Sequence, residues 1–185
     1  MSDLAPLVGE PLALDLVNTR FAQGDFLATP EDLCAWLVLQ GDRCPEVLPG
    51  SVGLAELAAV QCVRECAARA IDCARQSIPL RQEDVEAVNR VARGAPCVLE
   101  LVANAEGISS SRRRLGSTAE RLAAWLAESL VELLTDPALL RIRQCEAEDC
   151  VLLFLPSNPR RRWCSPSRCG NRMRVARHYQ RHKAG

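Results

Sequence analysis

The 185-residue sequence predicts an α+β protein that is mainly α: a helical N-terminal domain with one small β-hairpin, followed by a small module at the C-terminus. Three observations predict this class. Apolar residues recur at helical spacing in several stretches between residues 29 and 136. One stretch among them, residues 96–116, has strand-forming residues around a polar turn. The last 45 residues differ from the rest in charge and carry four of the ten cysteines as two close pairs.

The first element is ambiguous. The stretch EPLALDLVNTRF has Leu12, Leu16 and Val17 at helical spacing, whereas Leu14 lies off that stripe. A short helix and a strand both fit this pattern.

The next segment, TPEDLCAWLVLQG, predicts a helix. Thr29 can cap its N-terminus, Pro30 suits its first turn, and Gly41 can end it. Its apolar residues are expected to face a core: Leu33, Trp36, Leu37 and Leu39.

Two helices and a hairpin are predicted after a loop at residues 42–52 that is rich in proline and glycine. Residues 54–76 predict a long helix, and residues 81–94 a more polar one. The hairpin falls in residues 96–116, with its turn at 104–107. The inward face of the long helix is expected to hold Leu57, Val60, Val63, Ala67, Ala70 and Ile71.

The most regular helix opens at the capping box STAE, residues 117–120, and is expected to end at Thr135 or Asp136. Its apolar residues recur every three or four positions: Leu122, Trp125, Leu126, Leu130, Leu133 and Leu134. The charge pattern changes just beyond it. We therefore expect an N-terminal domain at residues 1–140 and a C-terminal module at residues 141–185.

The net charge of zero conceals an asymmetry. From Arg141 to the end there are eleven basic and three acidic residues, a net of +8, so the first 140 residues carry a net of −8. This polarity favours a basic arm that binds a polyanion. The alternative is a tail that folds back on the acidic domain.

The cysteines are not arranged like the disulfide framework of a secreted protein. The chain opens MSDLAPLVGEPLALDLVN, without the basic and then apolar pattern of a signal peptide, and no apolar run approaches the ~20 residues of a membrane span. We expect a cytoplasmic protein with reduced thiols and no membrane contact, whose clustered cysteines bind metal.

Two cysteine pairs near the C-terminus have the spacing of a zinc site. Cys145 and Cys150 are separated by four residues, as are Cys164 and Cys169, and thirteen residues lie between the pairs. Each pair can supply two thiolates from one turn, and the spacer lets the chain double back. Four thiolates leave no open position, so we predict one structural Zn²⁺ held by these four residues.

The spacer and the end of the chain predict the fold around this zinc. Residues 151–155 are strand-like, 156–159 form a turn, and 160–163 return toward the second pair as the other half of a hairpin. Ser165 and Pro166 can then start a helix that carries the fourth ligand. Knuckle, hairpin and helix in this order are a treble-clef-like zinc finger.

Two other groups of metal-binding residues are weaker. His178 and His182 stand four apart, but they follow the fourth cysteine too closely for a finger with two cysteines and two histidines, and we expect them to face solvent or a partner. Cys62, Cys66 and Cys73 share one helix face. A metal or redox role is open for them, although packing as small apolar residues is favoured.

The last helix also predicts a basic surface. Arg174, Arg177 and Arg181 recur at i, i+3 and i+7, and no acidic residue follows residue 149. Arginines in this arrangement suit phosphates and guanine edges, which favours DNA as the partner. A solvated charged face, and a protein–protein interaction module without direct DNA binding, are the alternatives. The predicted DNA contacts are Arg160, Arg161, Arg162, Arg168, Arg172, Arg174, Arg177 and Arg181.

The N-terminal domain has no arrangement of residues that indicates catalysis. Asp15, Asn18, Thr19 and Asp25 are polar residues near an apolar stretch, but capping and turn roles explain them. We find no nucleophile–base pair or phosphate-binding loop there and expect no enzyme.

The residues CGNR at 169–172, preceded by RRRWC, resemble the CGNR zinc-finger family of bacterial proteins. The stretches GEPLALDLVNTR and DLCAWL resemble the ABATE domain that accompanies this finger. The two resemblances imply a stress-response transcription regulator with a DNA-binding finger and an N-terminal domain that senses a ligand or stress signal. We expect a homodimer, because one small finger reads too few bases for a specific site.

Overall fold

The computed structural model of the protein describes residues 8–22, 24–44, 52–105 and 107–183. It has the predicted class, mainly helical with small antiparallel strand pairs. The helices are α1 (Leu12–Val17), α2 (Pro30–Gln40), α3 (Leu54–Arg75), α4 (Gln82–Gly94), α5 (Thr118–Thr135) and α6 (Asn171–Lys183). The strand pairs are β1 (Arg20–Phe21) with β2 (Gly24–Asp25), β3 (Cys97–Asn104) with β4 (Gly107–Arg114), and β5 (Arg143–Gln144) with β6 (Leu153–Phe154).

The ambiguous first element is the helix α1, and it lies at the centre of the N-terminal domain. It packs against both α3 and α5. Leu14, which lay off the predicted stripe, is as fully buried as Leu16. Residues 13–16 are buried against the two longer helices, whereas Leu12 and Val17 are half-buried, so burial in this short helix does not follow the predicted stripe.

The predicted helix boundaries and core faces are largely confirmed. The predicted cap at Thr29 and the predicted capping box at Ser117 both form, and Asp32 completes a second capping box at Thr29. The inward face of α3 is buried as predicted, and so is that of α5 apart from Leu134, which is partly buried. The expectation for Leu39 is wrong, because Gln40 takes the next buried position along the α2 stripe and Leu39 is exposed.

Arg64 is a buried residue that sequence analysis missed. It lies on the apolar face of α3 and is 2% exposed. Its guanidinium group donates to both carboxylate oxygens of Asp25, at 2.6 and 2.7 Å, and to the hydroxyl of Thr19 at 2.9 Å. Burial, the largest single cause, disfavours the charge on Asp25, but the hydrogen bonds from Arg64 and from the Leu27 amide, together with the positive charges of Arg64 and Arg20, lower the pKa of that carboxyl group. Asp25 and Thr19 therefore anchor α3 to the β1–β2 turn.

The α4–α5 connection is a long hairpin. The β3–β4 ladder pairs all eight residues of each strand, from Cys97 with Arg114 to Asn104 with Gly107. At its base, Arg114 is buried and donates to both carboxylate oxygens of Glu128 on α5, at 2.8 and 2.6 Å. The rest of the hairpin extends into solvent.

The predicted hairpin inside the C-terminal module is wrong in its pairing. Strand β6 pairs with β5, which precedes the first cysteine pair, and not with residues 160–163. The returning segment makes a single backbone bond to the knuckle, from the Glu146 amide to the Arg162 carbonyl at 3.1 Å. The amides of Arg160 and Arg161 donate to the side chain and the carbonyl of Asn158, at 2.8 and 2.9 Å, so these two amides are not available to pair with β6. The division of the chain at residues 140/141 remains a prediction.

In the part of the chain that the structure describes, no helix is long and apolar enough to cross a membrane.

Candidate metal centre

The first cysteine pair lies on the turn that joins β5 to β6. Cys145 follows β5 directly, and its amide donates to the carbonyl of Leu152 at 2.9 Å. The Cys150 amide donates to the carbonyl of Ala147 at 3.0 Å, which closes a tight turn. Both sulfur atoms are thus presented by one knuckle.

The second pair lies at the start of the last helix, as predicted. Ser165 caps this helix by accepting a bond from the amide of Arg168, and Pro166 occupies the first turn. The first turn, Pro166–Gly170, is wider than an α-helical turn, and the Gly170 amide donates to the Ser165 carbonyl at 3.0 Å. This turn places Cys169 on the same side as Cys164.

The four sulfur atoms form a compact cluster. All lie within 4.8 Å of one another, and Cys164 Sγ is 3.9 Å from Cys150 Sγ and 3.6 Å from Cys169 Sγ. A tetrahedral zinc with Zn–S distances of about 2.3 Å requires sulfur atoms about 3.8 Å apart. Cys145, Cys164 and Cys169 are buried and Cys150 is half-buried. The cluster therefore fits one four-coordinate zinc ion without an open position.

The shifted pKa values of the cysteines also favour a bound cation at the cluster. A hydrogen bond from Cys164 lowers the pKa of Cys150 to about 5, and the same bond and burial raise the pKa of Cys164. Burial, the largest cause, raises the pKa of Cys169 to about 11. Cys150, Cys164 and Cys169 thus lose their protons unequally, because each thiolate disfavours the next. A bound zinc ion compensates the thiolate charges and holds all four ligands deprotonated.

The apolar core around the cluster is small. It consists of Ala147, Leu152 and Phe154 with the buried cysteines, and Phe21 of the N-terminal domain packs against it together with Trp163 and Met173. A core of this size cannot hold the module folded by itself, so the metal ion supplies much of its stability.

Asn18 joins the N-terminal domain to the finger. This buried side chain follows α1, and its amide group donates to the carbonyl of Leu153 and accepts from the Leu153 amide, both at 2.8 Å. It therefore pairs with strand β6 as a neighbouring strand would. Leu153 also packs in the same apolar cluster as Leu130 and Leu133 of α5.

Glu10 makes a second joint between the two parts. One carboxylate oxygen accepts from the amide of Leu155 at 2.8 Å, and the other accepts from the Arg161 guanidinium group at 2.7 Å. Arg161 lies over the ring of Phe154, 4.4 Å from its centroid, and also donates to the carbonyl oxygen of the ligand Cys164. A residue of the N-terminal domain is thus linked to a zinc ligand through one arginine.

The predicted DNA-contact arginines fall into three groups. The arginines of the first group have acidic partners: Arg161 binds Glu10, Arg162 pairs with Glu146, and Arg172 pairs with Asp149.

The second group consists of Arg160 and Arg174, which are exposed, and Arg168, which is half-exposed; none has an acidic partner among the described residues. The third group consists of Arg177 and Arg181, which lie in α6 but whose side chains are outside the described part of the structure.

The remaining histidines and cysteines lie apart from the cluster. Among the described residues, the metal-binding group contains the four cysteines alone. His178 is exposed and contacts the ring of Tyr179, and the side chain of His182 is outside the described residues. Cys62 is exposed, so apolar packing is the wrong interpretation for it, whereas Cys66 is half-buried and burial raises its pKa.

Two models of known protein families match the chain. The model of the ABATE family, whose description is "putative stress-induced transcription regulator", matches residues 10–137, and that of the CGNR zinc finger matches residues 141–182. A search of curated proteins finds no match. The two matched segments contain, respectively, the Glu10–Asn18 joint and the four-sulfur cluster. The protein therefore belongs to the ABATE family and ends in a CGNR zinc finger whose four cysteines bind one zinc ion.

Proposed function

We propose that the protein is a zinc-dependent DNA-binding transcription regulator, whose basic finger contacts DNA while the N-terminal domain senses a signal. The observation that carries this proposal is the set of arginines on the finger that have no acidic partner among the described residues: Arg160, Arg168 and Arg174. They lie on a module held rigid by zinc. Arg168 and Arg174 lie in the last helix and Arg160 in the segment before it, and arginine is well suited to phosphates and base edges.

The predicted contacts divide by role under this proposal. Arg161 supports the finger from within, since its guanidinium group lies between Glu10 and Phe154. Arg162 and Arg172 are in exposed ion pairs, which are weak enough to open when a phosphate competes. Arg160, Arg168 and Arg174, with Arg177 and Arg181, form the proposed primary DNA surface.

The joint supports the proposed sensing role. A change in the N-terminal domain that moves α1 also moves Asn18 and Glu10, which bind β6 and Arg161 of the finger. The family description, a stress-induced regulator, supports this direction of control. The proposed signal is a small molecule or another stress cue. The proposed location is the cytoplasm, which the family description of a transcription regulator supports. A homodimer completes the proposal, because one finger reads too few bases.

The test is DNA binding across a salt series, measured by fluorescence anisotropy of labelled random duplex with zinc-loaded protein. We expect affinity to fall steeply with salt, and the R174A/R177A variant to flatten the log–log slope by up to about 2. The matched control is R90A/R93A, which removes two exposed arginines of α4. A variant slope equal to that of the control, with zinc content unchanged, would remove α6 from the DNA surface.

A second candidate function is a zinc-stabilised protein-interaction module with no direct DNA binding. It is favoured by two exposed apolar residues of α6, Val175 at 54% and Tyr179 at 67% exposure, which lie one turn apart. Such a pair is typical of a helix that docks in a groove. Full zinc loading without DNA binding at low salt would select this function.

A further inference from the structure

The β3–β4 hairpin is a ribbon with an uncovered apolar face. Eight paired residues make it about 27 Å long. Leu99, Leu101 and Ile108 lie on one face and are 67%, 78% and 77% exposed. An isolated two-stranded ribbon is marginally stable in water, and exposed apolar groups of this size mark an interaction surface.

The two faces of the ribbon differ in charge. Arg112 pairs with Leu99 across the ladder and shares the apolar face; no acidic partner for it exists among the described residues. On the opposite face, Arg113 lies 3.8 Å from Glu100. The face that carries the exposed leucines therefore also carries an uncompensated positive charge.

A groove of complementary character lies beside the base of the hairpin. It has a volume of about 450 Å³ and runs between α1 and α5. Arg43 also reaches it, but the charge of Arg43 is compensated by Asp15. The charge of Glu128 is likewise compensated by Arg114, so the acidic character of the groove comes from Glu132 and Asp136. The apolar and acidic residues that line this acidic groove are Leu12, Trp125, Leu133, Glu128, Glu132 and Asp136.

We propose that the protein forms a two-fold dimer in which the apolar face of each hairpin docks on the acidic groove of the other copy. Arg112 then faces the carboxylates of the groove, and Leu101 and Ile108 cover Leu12 and the edge of the core. The charges and the apolar surfaces match in both contacts.

The positions of the hairpin face and the acidic groove support a second copy of the chain as the partner that covers them. The bond between Arg114 and Glu128 joins the base of the hairpin to the groove, so each copy presents both surfaces side by side. A two-fold axis beside this bond repeats the contact in both directions and closes the assembly. A stable interface buries roughly 800 Å² per partner, and both symmetric contacts contribute to that buried area.

This inference names the surface of the homodimer assumed in the proposed function, but it does not depend on DNA binding. The test is sedimentation velocity of the zinc-loaded full chain at several concentrations, without DNA. We expect a dimer for the native protein. R112E and E132R are each expected to raise the dimer dissociation constant by at least about tenfold, because each places like charges in both contacts.

The double variant R112E/E132R exchanges the two charges and is expected to restore the dimer. R90E, with the same charge change on exposed α4, is the control and is expected to stay dimeric. A monomeric native protein, a dimer that ignores both single variants, or a double variant that stays dissociated would overturn the proposal. So would an R112E protein that loses DNA affinity while keeping its dimeric mass, since the ribbon would then be a DNA contact. The R174A/R177A salt slope tests the finger separately.

Discussion

The N-terminal domain and the finger are stabilised by different forces. In the domain, α1, α3 and α5 bury large apolar residues such as Leu14, Ile71 and Leu130 completely. In the finger, three of the six buried core residues are zinc ligands, and its one strand pair has two residues per strand. Apolar burial spreads stability over many contacts, whereas a metal site concentrates it in four bonds. The finger should therefore be far more sensitive to a single change.

The joint between them belongs to both parts. Asn18 and Glu10 come from the N-terminal domain, yet they satisfy the backbone of residues 153 and 155 in the finger. Phe21 packs against the finger core as well. The strength of the joint therefore determines how far unfolding of one part destabilises the other.

The largest expected effect follows from breaking the zinc site with Cys164→Ser. Structural zinc contributes on the order of 10–16 kcal/mol to the folding of small zinc modules, so we expect the finger to lose zinc and unfold. Hydrogen exchange should then show loss of protection at residues 141–183 and retained protection in α3 and α5. Cys62→Ser, at an exposed cysteine outside the cluster, is the control and should keep one zinc per chain. Loss of protection throughout α3 would show that the two parts fold as one cooperative unit.

A smaller effect is expected from cutting the joint with Asn18→Ala. The change leaves the amide and carbonyl groups of Leu153 without their partner in a buried site, at a cost of about 1–3 kcal/mol. Because β6 adjoins the knuckle, we expect part of this cost to appear as weaker zinc affinity, measured by competition with a chromophoric chelator. Asn89→Ala on α4 provides the matched control. Zinc affinity equal to that of the control, with lower thermal stability, would confine the role of Asn18 to the N-terminal domain.

The smallest effect concerns the acid stability of the N-terminal domain. Although burial opposes its charge, Arg64 lowers the pKa of Asp25 below its ordinary value of 3.8. The charged form is therefore favoured in the folded protein, and its contribution is present above pH 4 and is lost as the pH falls through the lowered pKa. The melting temperature of Asp25→Asn should lie below that of the native protein at pH 7.

The two melting temperatures should converge as the pH falls below about 4. Both proteins lose zinc in acid, so their difference isolates the carboxyl group. A constant difference between pH 7 and pH 3 would show that Asp25 acts through packing and not through its charge.

Features that depend on neighbouring residues could be predicted from the sequence. The cap at Thr29, the capping box at Ser117 and the two cysteine pairs are recognisable because each depends on residues close together in the sequence. The predicted partner of strand β6, residues 160–163, is wrong, because β6 pairs with β5. Strand β6 is flanked by residues 143–144 and residues 160–163, and a turn can join it to either segment. Which of the two comes into register depends on the tertiary structure.

The residues that sequence analysis missed or undervalued act over long separations. Asn18 and Leu153 are 135 positions apart, and Glu10 and Arg161 are 151 apart. Arg64 on the apolar face of α3 gave no signal of the partner that makes its burial possible. Arg161 was grouped with the DNA contacts because its charge is visible in the sequence and its partner is not.

The sequence by itself determined the class of the protein, the helices after α1, the zinc ligands and the charge asymmetry. These follow from local backbone preferences, apolar periodicity and ligand spacing, which are properties of short segments. Only the tertiary structure decided which arginines have acidic partners, how the finger attaches to the N-terminal domain, and that the hairpin leaves its apolar face uncovered. Those features arise from contacts between distant segments, whose energies depend on burial and on the exact position of each partner.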